Sequence, residues 1–169
     1  EDRFCKNVYD DYTKYKYFFR CMPLNSSTLG GQLAAYLGYL KSYLWGAHSI
    51  NFTEVAFIHE NLDWVNASID RLQVALPALL GMNIVDRIGF PQNEPSSSFP
   101  AYHVQLNASG AQVVIPIISS TGGAYLAGTY GAVQPNYLIV GINVPSQLGT
   151  HWVSTSTMCE YEVTLQVAY

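Results

Sequence analysis

Residues able to do chemistry are spread thinly along this chain. The four histidines, His48, His59, His103 and His151, are scattered, and none sits at metal-ligand spacing. Cysteines stand at Cys5, Cys21 and Cys159, an odd number with no Cys-x-x-Cys pair, and read as reduced, mostly buried thiols. No Gly-x-Ser-x-Gly elbow marks a serine nucleophile. Glu60 and Asp63 could form a calcium loop, although a solvated loop is the stronger reading. Gly30-Gly31 and Gly122-Gly123 lack the strand-to-helix context of a phosphate site and read as flexible turns. No catalytic, cofactor-binding or metal-binding residue is therefore assigned, and no cofactor is expected.

Other patterns concern recognition. Tyr15, Tyr17 and Phe19 could stack bases, but their even alternation favours a packed sheet face. Lys14, Lys16 and Arg20, on the opposite face, form the only basic stripe, either solvated or in weak contact with nucleic acid. Asp10-Asp11 reads as a solvated end. Four glycosylation sequons begin at Asn25, Asn51, Asn66 and Asn107. They suggest secretion mildly, and Asn51 falls inside a predicted strand.

The chain has 169 residues, enough for one domain with a real core. Charged residues make up 12%, hydrophobic ones 49% and aromatics 14%, a balance opposite to that of a disordered chain. A formal net charge of −4 argues against a basic nucleic-acid binder. From Pro95 to Cys159 there is no Asp, Glu, Lys or Arg. Pro, Gly and polar residues interrupt that stretch too often for a membrane span. Its neutrality reads either as surface buried against other subunits, whose interface cores are poor in charge, or as an ordinary uncharged β surface. Glu1 reads as a processed or truncated start, with no signal-peptide pattern.

The elements that would hold these residues are mostly strands. Thr13 to Met22 alternates with period two. Gln32 to Trp45 changes to a helix, with Leu33, Tyr36, Leu37, Leu40 and Leu44 on one face and Gly46 placed to stop it. Ala47 to Ile58 returns to strand with a bulge near Thr53-Glu54, and His59 to Asn66 reads as a loop. Further strands are predicted at Ile69 to Leu76, Tyr102 to Leu106, Gln112 to Ile118, Tyr137 to Val144 and Cys159 to Tyr169. Pro116 points to an edge or a bulge. A short helical turn is predicted around Asn83 to Ile88, while Ser119 to Gln134 and Pro145 to Ser156 read as loops. Long connections among antiparallel strands favour a Greek-key sandwich, of which the jelly roll is the eight-strand form.

The ordered set of segments resembles the jelly-roll capsid proteins of picorna-like positive-strand RNA viruses. Tyr17 to Pro23 is similar to the family's strand ending in proline. Tyr39 to Gly46 is similar to its aromatic helix end meeting a tryptophan and a glycine, without the arginine common between them. Ile69 to Pro77 resembles its short strand ending in proline. Pro100 to His103 with Val113 to Pro116, then Tyr137 to Leu148 and Glu160 to Tyr169, look like later strands. The resemblance implies a single all-β domain over 1–169: an eight-stranded antiparallel jelly-roll β-sandwich with an irregular start over 1–11, one or two short helices in its connections and its first strand missing or irregular. It implies a non-enzymatic subunit of an icosahedral virion, assembled in host cytoplasm. Its partners would be identical or homologous capsid subunits, with weak contact to genomic RNA, a host receptor and no membrane. It places the Ser119 to Gln134 loop at the wide end, buried against neighbours. The alternative is a secreted, glycosylated β-sandwich that binds carbohydrate. A hydrolase on the same scaffold has no positive support.

Overall fold

The structure, a computed structural model, describes residues 9–15 and 26–165. After a helical turn at Tyr12–Tyr15, the elements are α1 (Ser26–His48), β1 (Glu54–Glu60), α2 (Asp63–Leu80), β2 (Asn83–Phe90), α3 (Phe99–Ala108), β3 (Val113–Ile118), α4 (Gly122–Val133), β4 (Leu138–Asn143) and β5 (Glu162–Thr164). The five strands form one sheet in the order β2-β1-β3-β4-β5, and every pair is parallel. This corrects the jelly-roll prediction: alternating βα units around a parallel sheet replace an antiparallel sandwich.

A parallel sheet covered on both faces needs strands that are apolar on both faces. On one side Val55 and Phe57 of β1 pack with Leu33 and Leu37 of α1 and Ile69 and Leu72 of α2. On the other, Ala56 and Ile58 pack with Phe99 and Leu106 of α3 and Leu126 of α4. All six residues of β3 are buried, as are five of the six in β4. Interior strands account for part of the neutrality of this half of the chain.

The predicted face of α1 is correct, but its end is not. The helix runs through Gly46, and Ser49 takes the left-handed position with φ 56°. Ser49 N–H donates to the Trp45 carbonyl and Ile50 N–H to that of Leu44, at 3.0 and 3.1 Å, closing the last turn. Ala47 and His48 therefore belong to the helix, not to the following strand. The predicted bulge lies close to the observed one, a register shift between Val55 and Ala56 against β2.

Three helices replace a predicted strand, strand and loop. In α2 the buried residues Val65, Ile69, Leu72 and Leu76 recur at i, i+4, i+7 and i+11. Val74, which a strand would have turned inward with Leu72 and Leu76, is 65% exposed. In α3, Phe99, His103 and Leu106 face inward, and Pro100 opens the helix, where its missing N–H does no harm. Ser119 to Gln134 holds α4 despite its glycines. Those glycines allow close packing: a Cβ on Gly122 would lie 2.9 Å from the Phe90 ring, and one on Gly123 would collide with Asn143. Asn83 to Ile88, predicted as a helical turn, is part of edge strand β2.

Pro116 stands in a central strand rather than at an edge. Its ring and nitrogen face Gly141 of β4, where a Cβ would lie 2.8 Å from the proline Cδ. The paired residues of β3 and β4 skip Ile115 and Pro116. One strand lacks a donor and its neighbour lacks a side chain, so the proline fits. The predicted strand Cys159 to Tyr169 shortens to Glu162–Thr164 after a 3-10 turn at Met158–Tyr161. Positions 166–169 of that prediction lie outside the described residues. So do positions 16–22 of the first predicted strand, whose opening residues 13–15 are helical, within Tyr12–Tyr15. Among the described residues no helix is long and apolar enough to cross a membrane.

Candidate functional site

The strand order reverses between β1 and β3. From the carboxyl end of β1 the chain enters α2 on one face, and from that of β3 it enters α4 on the other. The two connections part there, at the kind of switch point where an open α/β sheet usually has its ligand crevice.

Glu60, the last residue of β1, spans this point. It is fully buried, and its carboxylate accepts three hydrogen bonds from the turn after β3. Ser119 N–H donates at 3.0 Å, Ser119 Oγ at 2.6 Å and Ser120 N–H at 2.7 Å. Charge-assisted bonds of this kind are the stronger class, and they clamp one wall of the crevice to the other. Ser120 Oγ in turn accepts Gly122 N–H at 3.2 Å, at the start of α4. Asn61 and Thr121, which follow the two strands, remain exposed at the rim.

His59 sits beside this clamp and is held neutral. Its Nδ1–H donates to the Glu60 carbonyl at 3.0 Å, and its Nε2 accepts from Arg87 Nε at 2.9 Å. Burial pushes its pKa down, the Glu60 carbonyl opposes this, and the Arg87 charge adds to the lowering. The exposed Arg87 is thereby anchored through one nitrogen at the same edge of the sheet.

A second carboxylate with a buried side chain is Glu162, the first residue of β5. Glu162 accepts from Asn143 Nδ2 through one oxygen, and its other oxygen lies 2.9 Å from His151 Nε2. Asn143 Nδ2 also donates to the Gly123 carbonyl at 3.1 Å, tying β4, α4 and β5 together. Asn143 Oδ1 and His151 Nδ1 are buried without a protein partner among the described residues.

His103 serves the core. Its Nε2 donates to the Leu126 carbonyl at 2.9 Å and its Nδ1 accepts from the Tyr137 hydroxyl, joining α3, α4 and the start of β4. Burial lowers its pKa, with the Leu126 bond opposing. Both His59 and His103 thus have folded pKa values below the ordinary unfolded value of about 6.5. Between those values the unfolded chain binds more protons, so stability rises with pH across the window. The contribution is complete above about pH 6.5 and is lost as pH falls through the folded pKa values. The urea midpoint is expected to fall between about pH 7.5 and 5, and His103→Gln should flatten that slope.

The remaining sequence candidates fall elsewhere. Glu60 and Asp63 do not form a calcium loop: one clamps the serine turn and the other opens α2. Among the described residues no group of three His, Cys, Asp or Glu could hold a metal ion. Gly30-Gly31 lies inside α1, and Gly122-Gly123 forms the first turn of α4, so neither is a flexible turn. His48 is exposed at the end of α1, and Cys159 is a half-buried free thiol. Asn51, Asn66 and Asn107 are exposed, and Asn51 precedes β1 rather than lying within a strand. Lys16, Tyr17, Phe19, Arg20, Cys5, Cys21 and Asn25 lie outside the described residues. Sequence reasoning misses Glu60 as a clamp, and with it Ser119, Ser120, Asn143 and Glu162. One signal is available: Val55 to Ile58 and Val113 to Ile118 are both two-faced apolar runs that lead into polar residues.

No protein-family model and no curated protein sequence matches the chain. Solved structures do share its fold. A periplasmic binding protein type 1 from Bordetella pertussis Tohama I superposes with TM-score 0.65 at 15% identity, over 83% of this chain and 34% of that one. The leucine-, isoleucine-, valine-, threonine- and alanine-binding protein from Brucella ovis, in its closed conformation, gives 0.58 at 14%, over 75% and 31%. A solute binding protein of an ABC transporter from Rhodopseudomonas palustris BisB5, in complex with 3,4-dihydroxy benzoic acid, gives 0.50 at 14%, over 70% and 29%. The chain spans about a third of the length of these structures. At such identities the likeness is one of fold alone. The fold overturns the capsid resemblance, and with it the virion location and the expected capsid-subunit, genomic-RNA and receptor partners. The β-sandwich carbohydrate module falls for the same reason, since no sandwich is present among the described residues.

Proposed function

We propose that this chain is a non-enzymatic solute-binding lobe that takes a small molecule in the crevice between β1 and β3. The observation that carries this reading is the Glu60 clamp at the point where the strand order reverses. A buried carboxylate satisfied by three donors holds the crevice walls in fixed relation, so ordering them adds little to the cost of binding. Asn61 and Thr121 at the rim, with the half-buried Trp64 at the start of α2, supply hydrogen bonds and an apolar surface. Such a rim suits a small polar or zwitterionic solute with an apolar side chain. The fold neighbours support that class, being proteins named for amino acids and for an ABC transporter. By the same analogy the partner is a membrane transporter, and the lobe works outside the cytoplasmic membrane.

The test is a thermal-shift panel of branched-chain and small neutral amino acids together with dihydroxybenzoate. At a hundred times Kd a ligand stabilises by about 2.7 kcal/mol, a rise of about 5–10 °C in Tm for a domain of this size. Asn61→Ala and Thr121→Ala are expected to reduce the shift without lowering the Tm of the free protein. A panel in which no compound raises Tm would reject the reading, as would rim variants that bind unchanged.

A further inference from the structure

The amino edge of the sheet, opposite the crevice, carries two hollows. One, of about 450 Å³, opens beside Ile50 and Leu138. The other, of about 350 Å³, is bordered by Glu160. They abut, because Tyr130, Pro135 and Tyr161 line both. Volumes of this order are those of small-molecule sites.

The shared wall is preformed. The Tyr130 and Tyr161 rings stack with centroids 5.0 Å apart and planes 13° from parallel. The Tyr130 hydroxyl shares its single proton between the carbonyls of Pro135, at 3.0 Å, and of Tyr137, which fixes its ring at the end of α4. The other side of the wall is open: Tyr161 is 50% exposed, Leu138 41% and Ile50 51%. Three large apolar side chains uncovered around one opening form a patch, unlike singly scattered exposed residues. Glu160 is exposed, and no cation among the described residues pairs with it. A carboxylate beside tyrosine rings favours positive charge twice, by direct attraction and through the negative ring faces.

From this juxtaposition we infer that the amino-edge hollows form a second binding site, for a small aromatic amine whose ring packs on Tyr161 and Leu138 and whose ammonium faces Glu160. The site is separate from the crevice and does not rest on the solute-binding reading.

The test is a titration of nitrogen-15-labelled protein with phenethylamine, and with phenylpropionate as an anionic analogue of similar shape. Phenethylamine is expected to move the Tyr130, Leu138 and Tyr161 amide resonances saturably, with Kd about 1 mM. Glu160→Gln, an exposed substitution, should weaken it about threefold to fivefold, the scale of an exposed charge pair. Phenylpropionate should bind at least about tenfold more weakly, because it meets like charge. Three results overturn the proposal: no saturable shift at these residues up to about 10 mM amine, equal binding of the anion, or an unchanged Kd in Glu160→Gln.

Discussion

Glu60→Ala is expected to lower stability by about 2–4 kcal/mol, because it removes a buried carboxylate that fills its own space and takes the acceptor from two part-buried backbone N–H groups. Those groups belong to Ser119 and Ser120, which donate to the carboxylate at 3.0 and 2.7 Å. The Ser119 hydroxyl can turn elsewhere, so it adds less. Glu60→Gln keeps the shape but presents an amide N–H₂ toward donors, and should fall between alanine and the parent. A loss of this size is a large part of the roughly 5–15 kcal/mol that holds a domain together. Urea denaturation at neutral pH, followed by tryptophan fluorescence, measures it. A shift in the crevice should accompany the loss: solute binding should fall more in Glu60→Gln than its stability change alone explains. If Glu60→Ala stays within about 1 kcal/mol of the parent, the donors have found other partners and the clamp is not what orders the crevice.

The stretches that are legible in sequence and those that are not differ in a physical way. The face of α1 is legible because Leu33, Tyr36, Leu37, Leu40 and Leu44 fit a helix and no strand. β3 and β4 are legible as strands because β-branched runs such as Val113 to Ile118 are too short for a helix. In α2, by contrast, Leu72, Val74 and Leu76 also satisfy period two, and only tertiary packing leaves Val74 outside. In α3 the inward residues Phe99, His103 and Leu106 include a histidine, which hides the apolar stripe. In α4 the glycines that suggest loop flexibility are contact points, with Gly131 against Met158 and Gly123 against Asn143. Without these three helices, alternating βα units read as a string of strands. An antiparallel sandwich is the consequence, and the viral resemblance rests on that string.

The crevice is illegible for a related reason. Glu60 and Asp63 suggest a pair because they are near in sequence. Parallel topology instead brings Glu60 to Ser119 and Ser120, across the sheet from a separate βα unit. Likewise Asn143, His151 and Glu162 meet only because β5 lies beside β4. No local spacing announces such a meeting. A carboxylate at the end of a two-faced apolar strand does announce a buried polar group, since both faces of such a strand are covered and the group must find partners there.

Gly141→Ala is expected to destabilise by about 3 kcal/mol or more, at the upper end for one added methyl, because the obstacle is backbone rather than a mobile side chain. A Cβ at this position would collide with the Pro116 carbonyl oxygen and lie 2.9 Å from the proline nitrogen. Both strands are interior, so neither can move without disturbing β1 or β5. Pro116→Ile should not rescue Gly141→Ala, since the carbonyl remains after the ring is gone. Pro116→Ile alone should be mild, as it restores an N–H but places a larger side chain in the packed core. The double variant therefore separates two accounts of this pair. If only the ring excluded a side chain at position 141, the two substitutions would compensate. If the closeness of the two backbones excludes it, Gly141→Ala should lower Tm by about 6–12 °C in either background. Thermal unfolding of the four proteins followed by circular dichroism distinguishes these outcomes. The second is expected, because the tightest clash is between the added carbon and a main-chain oxygen that any residue at 116 would carry.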